Sequence, residues 1–150
     1  MKKTWFLLAA LSLMSVVPAL AGDLIDNKDW TVTDNVTGLM WQQTEGGSMT
    51  WEEALAYCEG LSLAGSADWR LPNVKELESL TDDSRYQPAI DTTFFPDVVS
   101  NLYVAPYYWS STSGDFNTSS STPYAWNVYF HDGNVLSSSK TNNFYVRCVR

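Results

Sequence analysis

Hydrophobic positions recur at helical spacing twice in the front half of the chain. The first set predicts an amphipathic helix over residues 51–62, with an apolar face made by Trp51, Ala54, Leu55, Cys58 and Leu61. Thr50 followed by Glu53 fits a capping box at its start. The second set predicts a shorter helix that has Asn73 as its N-cap, ends near Asp82, and buries Val74, Leu77 and Leu80.

Alternating and β-branched segments predict strands elsewhere. Two short strands, Trp30–Asp34 and Gly38–Gln42, flank a turn near the front of the chain. The back half is predicted to contain the strands Tyr107–Ser111, Ala125–Phe130 and Phe144–Arg150. A hairpin turn at residues 131–134 follows the second of these, and a return strand begins at residue 135. The pattern therefore predicts an α+β fold, with two helices early and a mostly antiparallel sheet late.

The strand at residues 125–130 separates its side chains into two faces. Trp126, Val128 and Phe130 share one face, which we interpret as core, and Asn127 and Tyr129 point to the other. The preceding segment, residues 85–106, contains three prolines and is predicted to be a loop, anchored in the core by the pair Phe94–Phe95.

The N-terminus has the organisation of a secretory signal peptide. Lys2 and Lys3 precede an apolar run from Trp5 to Val17, and the small residues at 18–21 form a cleavage site. A run of 13 residues is shorter than the roughly 20 that cross a bilayer. We therefore expect residues 1–21 to be removed, residues 22–150 to form a single domain, and the product to be periplasmic, secreted or at the cell surface, without membrane insertion.

Charge narrows the possible partners. After loss of the leader lysines, 7 basic and 17 acidic side chains remain, a net charge of −10. Residues 22–100 carry 15 of the acidic and 4 of the basic residues, so the back half is almost neutral. This excess of acidic residues argues against nucleic acid as a partner, because nucleic-acid binding requires clustered Lys and Arg, and against anionic membranes as well.

Two cysteines, Cys58 and Cys148, remain in a chain predicted to be exported. In an oxidising compartment the expected state is one disulfide. A catalytic thiol or a metal site is the alternative, but the chain has only two cysteines and one histidine, His131, which are few residues from which to build either site. We therefore predict a bridge between the first helix and the last strand, no bound metal and no cofactor.

The order of motifs along the chain resembles the Lcl C-terminal domain family. The resemblance covers nearly all of residues 30–150 and rests on these segments: Thr37–Gln42, Thr50–Cys58, Asp68–Leu77, Tyr108–Thr112, Ala125–Trp126 and Tyr145–Arg150. The family resembles the C-type-lectin-like fold, in which a helix cysteine pairs with one on the final strand. Its relatives include bacterial surface adhesins, so the resemblance implies a binding or adhesion module without specifying a ligand.

A more distant similarity links the chain to formylglycine-generating enzymes, through the segments Arg70–Pro72 and Val146–Val149. Those oxidases need reactive cysteines beyond a structural bridge, and both cysteines here are assigned to one. The calcium-binding triplets of sugar-binding C-type lectins are also missing, since Val128 follows Trp126–Asn127 where those lectins have Asp. Neither oxidase activity nor calcium-dependent sugar binding is therefore expected.

Individual charged residues give weaker signals. Asp82, Asp83, Asp91 and Asp97 could supply oxygen ligands to calcium, but they lack the ordered spacing of a dedicated loop, so a solvated surface is the favoured interpretation. Arg70 is interpreted as a buried structural residue paired with Glu76 or Asp68. His131 is interpreted as an exposed turn residue. No carboxylate pair stands out as a general acid and base, and we name no catalytic residue.

The strongest binding signal lies in the back half. Between Ser110 and Asn143, 18 of 34 positions are Ser, Thr or Asn, with aromatics interleaved. Short polar groups beside aromatics form adaptable binding surfaces, although solvated loops have the same composition. The predicted ligand-binding residues are Tyr107, Asp115, Asn117, Tyr124, Asn127, Tyr129, Asp132, Asn134, Asn142 and Asn143.

These observations predict a non-enzymatic recognition or adhesion module that binds a glycan or a surface protein through its C-terminal polar and aromatic face. Two other classes stay open at this point: an envelope-associated hydrolase that uses a carboxylate pair, and a structural subunit of the envelope. Association into a homo-oligomer is compatible with any of them.

Overall fold

The computed structural model describes residues 23–98, 106–114 and 123–150. Two helices, α1 (Trp51–Glu59) and α2 (Val74–Glu78), lie in the front half, as predicted. The Glu53 carboxylate accepts the backbone N–H of Thr50 at 2.9 Å at the start of α1. Asn73 Oδ1 accepts the N–H groups of Lys75 and Glu76, both at 2.9 Å, at the start of α2. Both capping residues were correctly predicted.

The described strands form two sheets. An antiparallel sheet has the order β1-β2-β3, with β1 (Leu24–Asp26), β2 (Thr31–Asp34) and β3 (Met40–Gln42). A five-stranded sheet has the order β4-β8-β5-β6-β7 and is antiparallel except between β5 and β8. Its strands are β4 (Ser48–Met49), β5 (Tyr107–Ser113), β6 (Tyr124–Tyr129), β7 (Asn134–Ser139) and β8 (Phe144–Tyr145). The α+β prediction is confirmed, with β1 and β4 as additional short strands.

The five-stranded sheet is covered on both faces. One face packs into what we call the Phe95 core, whose buried members include Val32, Trp41, Leu77, Phe95, Tyr108 and Val128. The other face packs into what we call the Trp109 core, whose members include Ala54, Cys58, Trp69, Trp109 and Ala125. Helix α2 and the three-stranded sheet thus supply the first core, and α1 supplies the second.

The disulfide between Cys58 and Cys148 is confirmed, with Cα atoms 5.5 Å apart and 90 residues between them in sequence. Both residues are fully buried in the Trp109 core. The bridge therefore ties α1 to the C-terminal segment on one face of the five-stranded sheet.

Several element ends differ from the prediction. α1 ends at Glu59 rather than residue 62, and α2 ends at Glu78 because Ser79 already closes the last turn. The last strand is shorter than predicted, since β8 stops at Tyr145. Beyond β8, the chain leaves its sheet, and Val149 forms isolated bridges with Trp41 and Arg70. These bridges join segments far apart in sequence, so no local pattern could reveal where the strand ends.

The predicted two-faced pattern of β6 is only partly correct. Val128 and Phe130 are buried in the Phe95 core, but Trp126 is half-buried and belongs to neither core. Asn127, predicted to point outward, is fully buried. The reason is that both faces of this sheet are covered, so alternation along β6 does not separate core from solvent. Within the described ranges, no helix has the length and apolar character needed to cross a membrane.

Candidate ligand-binding surface

Three aromatic rings from three neighbouring strands stack across the five-stranded sheet. Tyr107 on β5 faces Tyr129 on β6 in the antiparallel register, and their ring centroids lie 4.3 Å apart. On the other side, Phe144 of β8 stacks on Tyr107 at 4.9 Å. The stack exists because each residue occupies the same row of the sheet on the same face, where directly paired side chains meet.

The stack continues beyond the end of β6. His131 lies nearly parallel to Tyr129, with centroids 5.2 Å apart and an angle of 6° between the rings. Tyr86 then meets His131 edge-on at 5.1 Å. Backbone hydrogen bonds from the loop after α2 to the residues that follow β6, such as Gln87 N–H to His131 O at 2.9 Å, bring Tyr86 to this place. We call the five residues Phe144, Tyr107, Tyr129, His131 and Tyr86 the aromatic ridge.

The aromatic ridge is accessible rather than part of the interior. Tyr107, Tyr129 and His131 are half-buried and belong to neither core, and Tyr86 is 67 % exposed. Polar groups adjoin it on the following turn, where the carboxylate of Asp132 accepts the Asn134 backbone N–H at 3.1 Å and its side-chain amide at 2.8 Å. Asn134 lies opposite Tyr129 in the β6–β7 register.

Stacking determines what the ridge offers to a ligand. Rings that pack face to face cover each other's faces, so they expose their edges, which carry the positive part of the ring quadrupole. Partial burial, with nearby Tyr107, Asp132 and Tyr86 as further causes, raises the pKa of Tyr129 above its usual value. The phenol therefore stays neutral at ordinary pH and can both donate and accept a hydrogen bond. The surface suits an uncharged polar ligand with acceptor groups.

The structure brings together four of the predicted ligand-binding residues: Tyr107, Tyr129, Asp132 and Asn134. Tyr124 lies at the opposite end of β6, paired with Ser139, and is not part of the ridge. Asn142 and Asn143 are exposed just before Phe144, at the end of the ridge where β8 begins. Asp115 and Asn117 lie outside the described residues.

Asn127 needs a correction as a binding residue because its side chain is fully buried. Its amide nitrogen donates to the hydroxyl of Ser138 at 3.0 Å, and its Oδ1 has no hydrogen-bond partner among the described residues. It lies opposite Trp109, a member of the Trp109 core, in the β5–β6 register. A side chain in this place supports the sheet and cannot contact a ligand at the surface.

Sequence reasoning missed three members of the ridge: Phe144, His131 and Tyr86. His131 is half-buried against Tyr129 instead of being an exposed turn residue, and its Nε2 lies 2.8 Å from Nε2 of Gln87. The contact joins residues 44 positions apart. The available signal was weak: Phe144 begins a strand that was predicted, but nothing local places it beside Tyr107.

A buried charged cluster occupies the other face of the sheet, and its centre is Arg147, which is fully buried. Its guanidinium donates to the Gln42 carbonyl at 2.8 Å and to Asp97 at 2.8 Å, and it lies over the Phe95 ring. Glu45 accepts a short hydrogen bond from the Tyr108 hydroxyl. Burial, with a smaller contribution from nearby Asp97, raises the pKa of Glu45.

Six further carboxylates of the described residues form ion pairs: Asp26, Asp68, Glu76, Glu78, Asp82 and Asp91. Arg70 is paired with Glu76 at 2.7 Å, as predicted, but it is exposed rather than buried. Asp68 instead pairs with Arg150 at 2.7 Å. Arg85 lies between Asp82 and Asp91 at 2.8 and 2.9 Å and so pairs with two of the four carboxylates that the sequence had suggested for calcium. In the described part of the chain, no group of three potential metal ligands comes together.

Comparison with known families agrees with the motif order in the sequence. The Lcl C-terminal domain model matches residues 30–150, so the chain belongs to this family. The matched region includes both helices, the disulfide, the aromatic ridge and the buried charged cluster. No curated protein matches the chain.

Proposed function

We propose that this chain is an exported, non-enzymatic recognition domain that binds a glycan or a protein segment through the aromatic ridge. The observation that carries the proposal is the row of stacked, half-exposed rings, of which Tyr107, Tyr129 and His131 lie outside both cores and Phe144 joins the row to the Trp109 core. Aromatic side chains offer a large contact area at a low entropic cost, and rings that already support each other lose little freedom on binding.

The scaffold supports this role because the paired strands of the sheet fix the positions of the aromatic rings in the ridge. Tyr107 is next to the buried pair Tyr108–Val128, and β5 and β6 are paired from Tyr107–Tyr129 to Trp109–Asn127. The disulfide secures the face on which the ridge lies. A site built on paired strands is more precise than one built on loops.

Export is a component of the proposal with two sources of support. The first is the signal-peptide pattern of residues 1–21, which lie outside the described residues. The second is the Cys58–Cys148 bridge, because disulfides persist mainly in oxidising compartments such as the periplasm and the cell exterior.

The alternative of a carboxylate-dependent hydrolase would use Glu45 and Asp97, since a raised carboxyl pKa next to another acid is typical of catalytic sites. Both carboxylates already have protein partners, however. Glu45 accepts from Tyr108, and Asp97 accepts from Arg147 and from the Glu45 backbone N–H. This arrangement favours a structural role that ties the segment after β3 to the sheet.

The test is a binding screen of the exported protein by thermal shift against a glycan library and against purified envelope proteins. For any hit, Tyr129→Ala should weaken binding by more than about 1 kcal/mol, the usual threshold for an important contact, and the variant should stay folded. Tyr124→Ala is the matched control, because Tyr124 is on the same strand but off the ridge.

The outcomes separate the candidate functions. Loss of binding with Tyr129→Ala but not Tyr124→Ala supports the ridge, and the reverse places the site at the other end of β6. If the protein turns over a substrate and Glu45→Gln abolishes this turnover, the hydrolase is the correct function and the recognition domain is not. Hits confined to envelope proteins that Tyr129→Ala leaves unchanged would favour the structural subunit.

A further inference from the structure

The hairpin between β1 and β2 displays a second aromatic surface that is separate from the aromatic ridge. Trp30 is 68 % exposed, a large fraction for the largest side chain. It borders an open cavity of about 190 Å³ whose other lining residues are Asp26, Lys28 and Gln43. This volume is several times the ~30 Å³ that one water occupies in the liquid, so the cavity has room for a small ring.

The backbone of the hairpin holds Trp30 in an unfavourable conformation. Trp30 has a φ of 69°, and Lys28 has a φ of 63°. Positive φ is uncommon for residues other than Gly, Asn and Asp, and for a bulky side chain it is a clear outlier. The turn is enforced by its neighbours, because Asn27 Nδ2 donates to the hydroxyls of Thr31 and Thr33 at 2.8 and 2.9 Å.

Folding gains little from a tryptophan at this position. Asn or Gly would adopt this φ more easily, and an exposed indole buries little apolar surface. The main-chain role of the residue, in which the Trp30 carbonyl accepts the Gln43 N–H at 2.9 Å, is independent of its side chain. The ring is therefore available for a contact outside the chain, and strained residues of this kind cluster at ligand sites.

The polar lining of the cavity is balanced in charge. Lys28 Nζ pairs with Asp26 Oδ2 at 2.7 Å, and the Lys28 N–H donates to Asp26 Oδ1 at 2.8 Å. These hydrogen bonds, chiefly the one from the lysine side chain, lower the pKa of Asp26 and keep it ionised. The lining therefore presents a strong acceptor, a strong donor and the Gln43 amide, which can do both.

We infer that this cavity binds one residue of a neutral saccharide, whose apolar ring face stacks on Trp30 while its hydroxyls bond to Asp26, Lys28 and Gln43. A pyranose has one apolar face and an edge of hydroxyls that donate and accept, which matches an exposed indole beside a charge-balanced set of donors and acceptors. The aromatic ridge cannot offer the same stacking at its inner rings, because their faces are covered by one another. The inference does not depend on the proposed function of the ridge.

The experiment is NMR of the ¹⁵N-labelled exported protein. The indole Nε1–H signal of Trp30 is assigned with Trp30→Asn, and the probes are the methyl glycosides of glucose, galactose, mannose and N-acetylglucosamine. At least one probe should shift the Trp30 and Gln43 side-chain signals saturably, with a dissociation constant on the order of 1 mM. Trp30→Asn and Asp26→Asn should each weaken binding at least tenfold.

Two controls make the result specific. Val36→Ala truncates another exposed apolar side chain, in the turn after β2, and should leave the saccharide titration unchanged. Trp30→Asn should melt at or above the temperature of the parent protein, because Asn tolerates a positive φ. A fall of several degrees would instead make Trp30 a packing residue and overturn the inference.

Other outcomes would also overturn it. The inference fails if none of the four glycosides shifts the Trp30 signal, or if the shifts of the Gln43 side-chain signals persist in Trp30→Asn. Sedimentation with neutral phosphatidylcholine vesicles that is lost in Trp30→Asn would make the indole a bilayer contact instead.

Discussion

Tyr107 and Tyr108 are neighbours in sequence and opposites in environment. Tyr108 is fully buried in the Phe95 core, where its ring meets Phe130 at 5.2 Å and its hydroxyl donates to Glu45. Burial raises its pKa far above the usual value. Tyr107 is half-exposed on the other face, and its ring contacts are with Tyr129 and Phe144.

The comparison shows that alternation along a strand determines the face of the sheet on which a side chain lies, but not how exposed that side chain is. Trp109 lies on the same face of β5 as Tyr107, yet it is fully buried. The reason is that α1 packs over it through Ala54 and Cys58. Tyr107 lies one position further along that face and outside this core. The position of α1 on the sheet, which tertiary packing sets, therefore leaves the Tyr107 end of this face accessible.

Truncation of Tyr108 and of Tyr107 to alanine should give the largest difference in stability between the two environments. Tyr108→Ala should lower the free energy of unfolding by about 3–5 kcal/mol, as for other buried aromatics, whereas Tyr107→Ala should cost roughly 1 kcal/mol. Urea denaturation of both variants measures the difference. Tyr108→Phe, which keeps the ring and removes only the hydroxyl, is the control. Equal losses from the two alanine variants would mean that the aromatic ridge is part of the core.

Removal of the disulfide tests how much the bridge stabilises the face of the sheet on which the ridge lies. The double variant Cys58→Ala/Cys148→Ala should lose about 2–4 kcal/mol of stability, because the bridge closes a loop of 90 residues. Thermal or urea unfolding with and without reductant measures this loss, and reductant should leave the double variant unchanged. A parent protein that resists reductant and matches the double variant in stability would contradict the structural role of the bridge.

The smallest expected effect is a pH dependence of opposite sign in two glutamates. The folded-state pKa of Glu45 is raised, chiefly by burial, so its contribution to stability is present below the usual Glu value of about 4.3 and is lost as pH rises through the raised pKa. The slope is at most about 1.4 kcal/mol per pH unit and smaller here because Glu45 is only half-buried. Glu45→Gln should therefore gain stability relative to the parent as pH rises above about 4.

Glu76 provides the matched comparison at the surface. Its pKa is lowered, first by the hydrogen bond from Arg70, so its contribution is present above the usual value and is lost as pH falls through the depressed pKa. Relative to the parent, Glu76→Gln should regain stability toward low pH. Urea denaturation across the acidic range measures both variants. Parallel curves for the two would show that Glu45 and Glu76 titrate alike.

Much of the local structure followed from the sequence. Thr50, Glu53 and Asn73 indicated both helix starts, because caps act within one turn of the chain. The pairing of Cys58 with Cys148 was predicted because only two cysteines were present in a chain with a predicted export signal. Part of the ridge was also predicted, since Tyr107 and Tyr129 belong to recognisable strands.

What the sequence did not determine was which surfaces meet. The burial of Asn127, the exposure of Arg70 and the contact of His131 with Tyr129 depend on segments that are distant in sequence. A local pattern reports helical or strand geometry, because backbone conformation is set within a few residues. Exposure is set by what packs above each residue, so the aromatic ridge became visible only after α1, the loop after α2 and five strands were placed together in space.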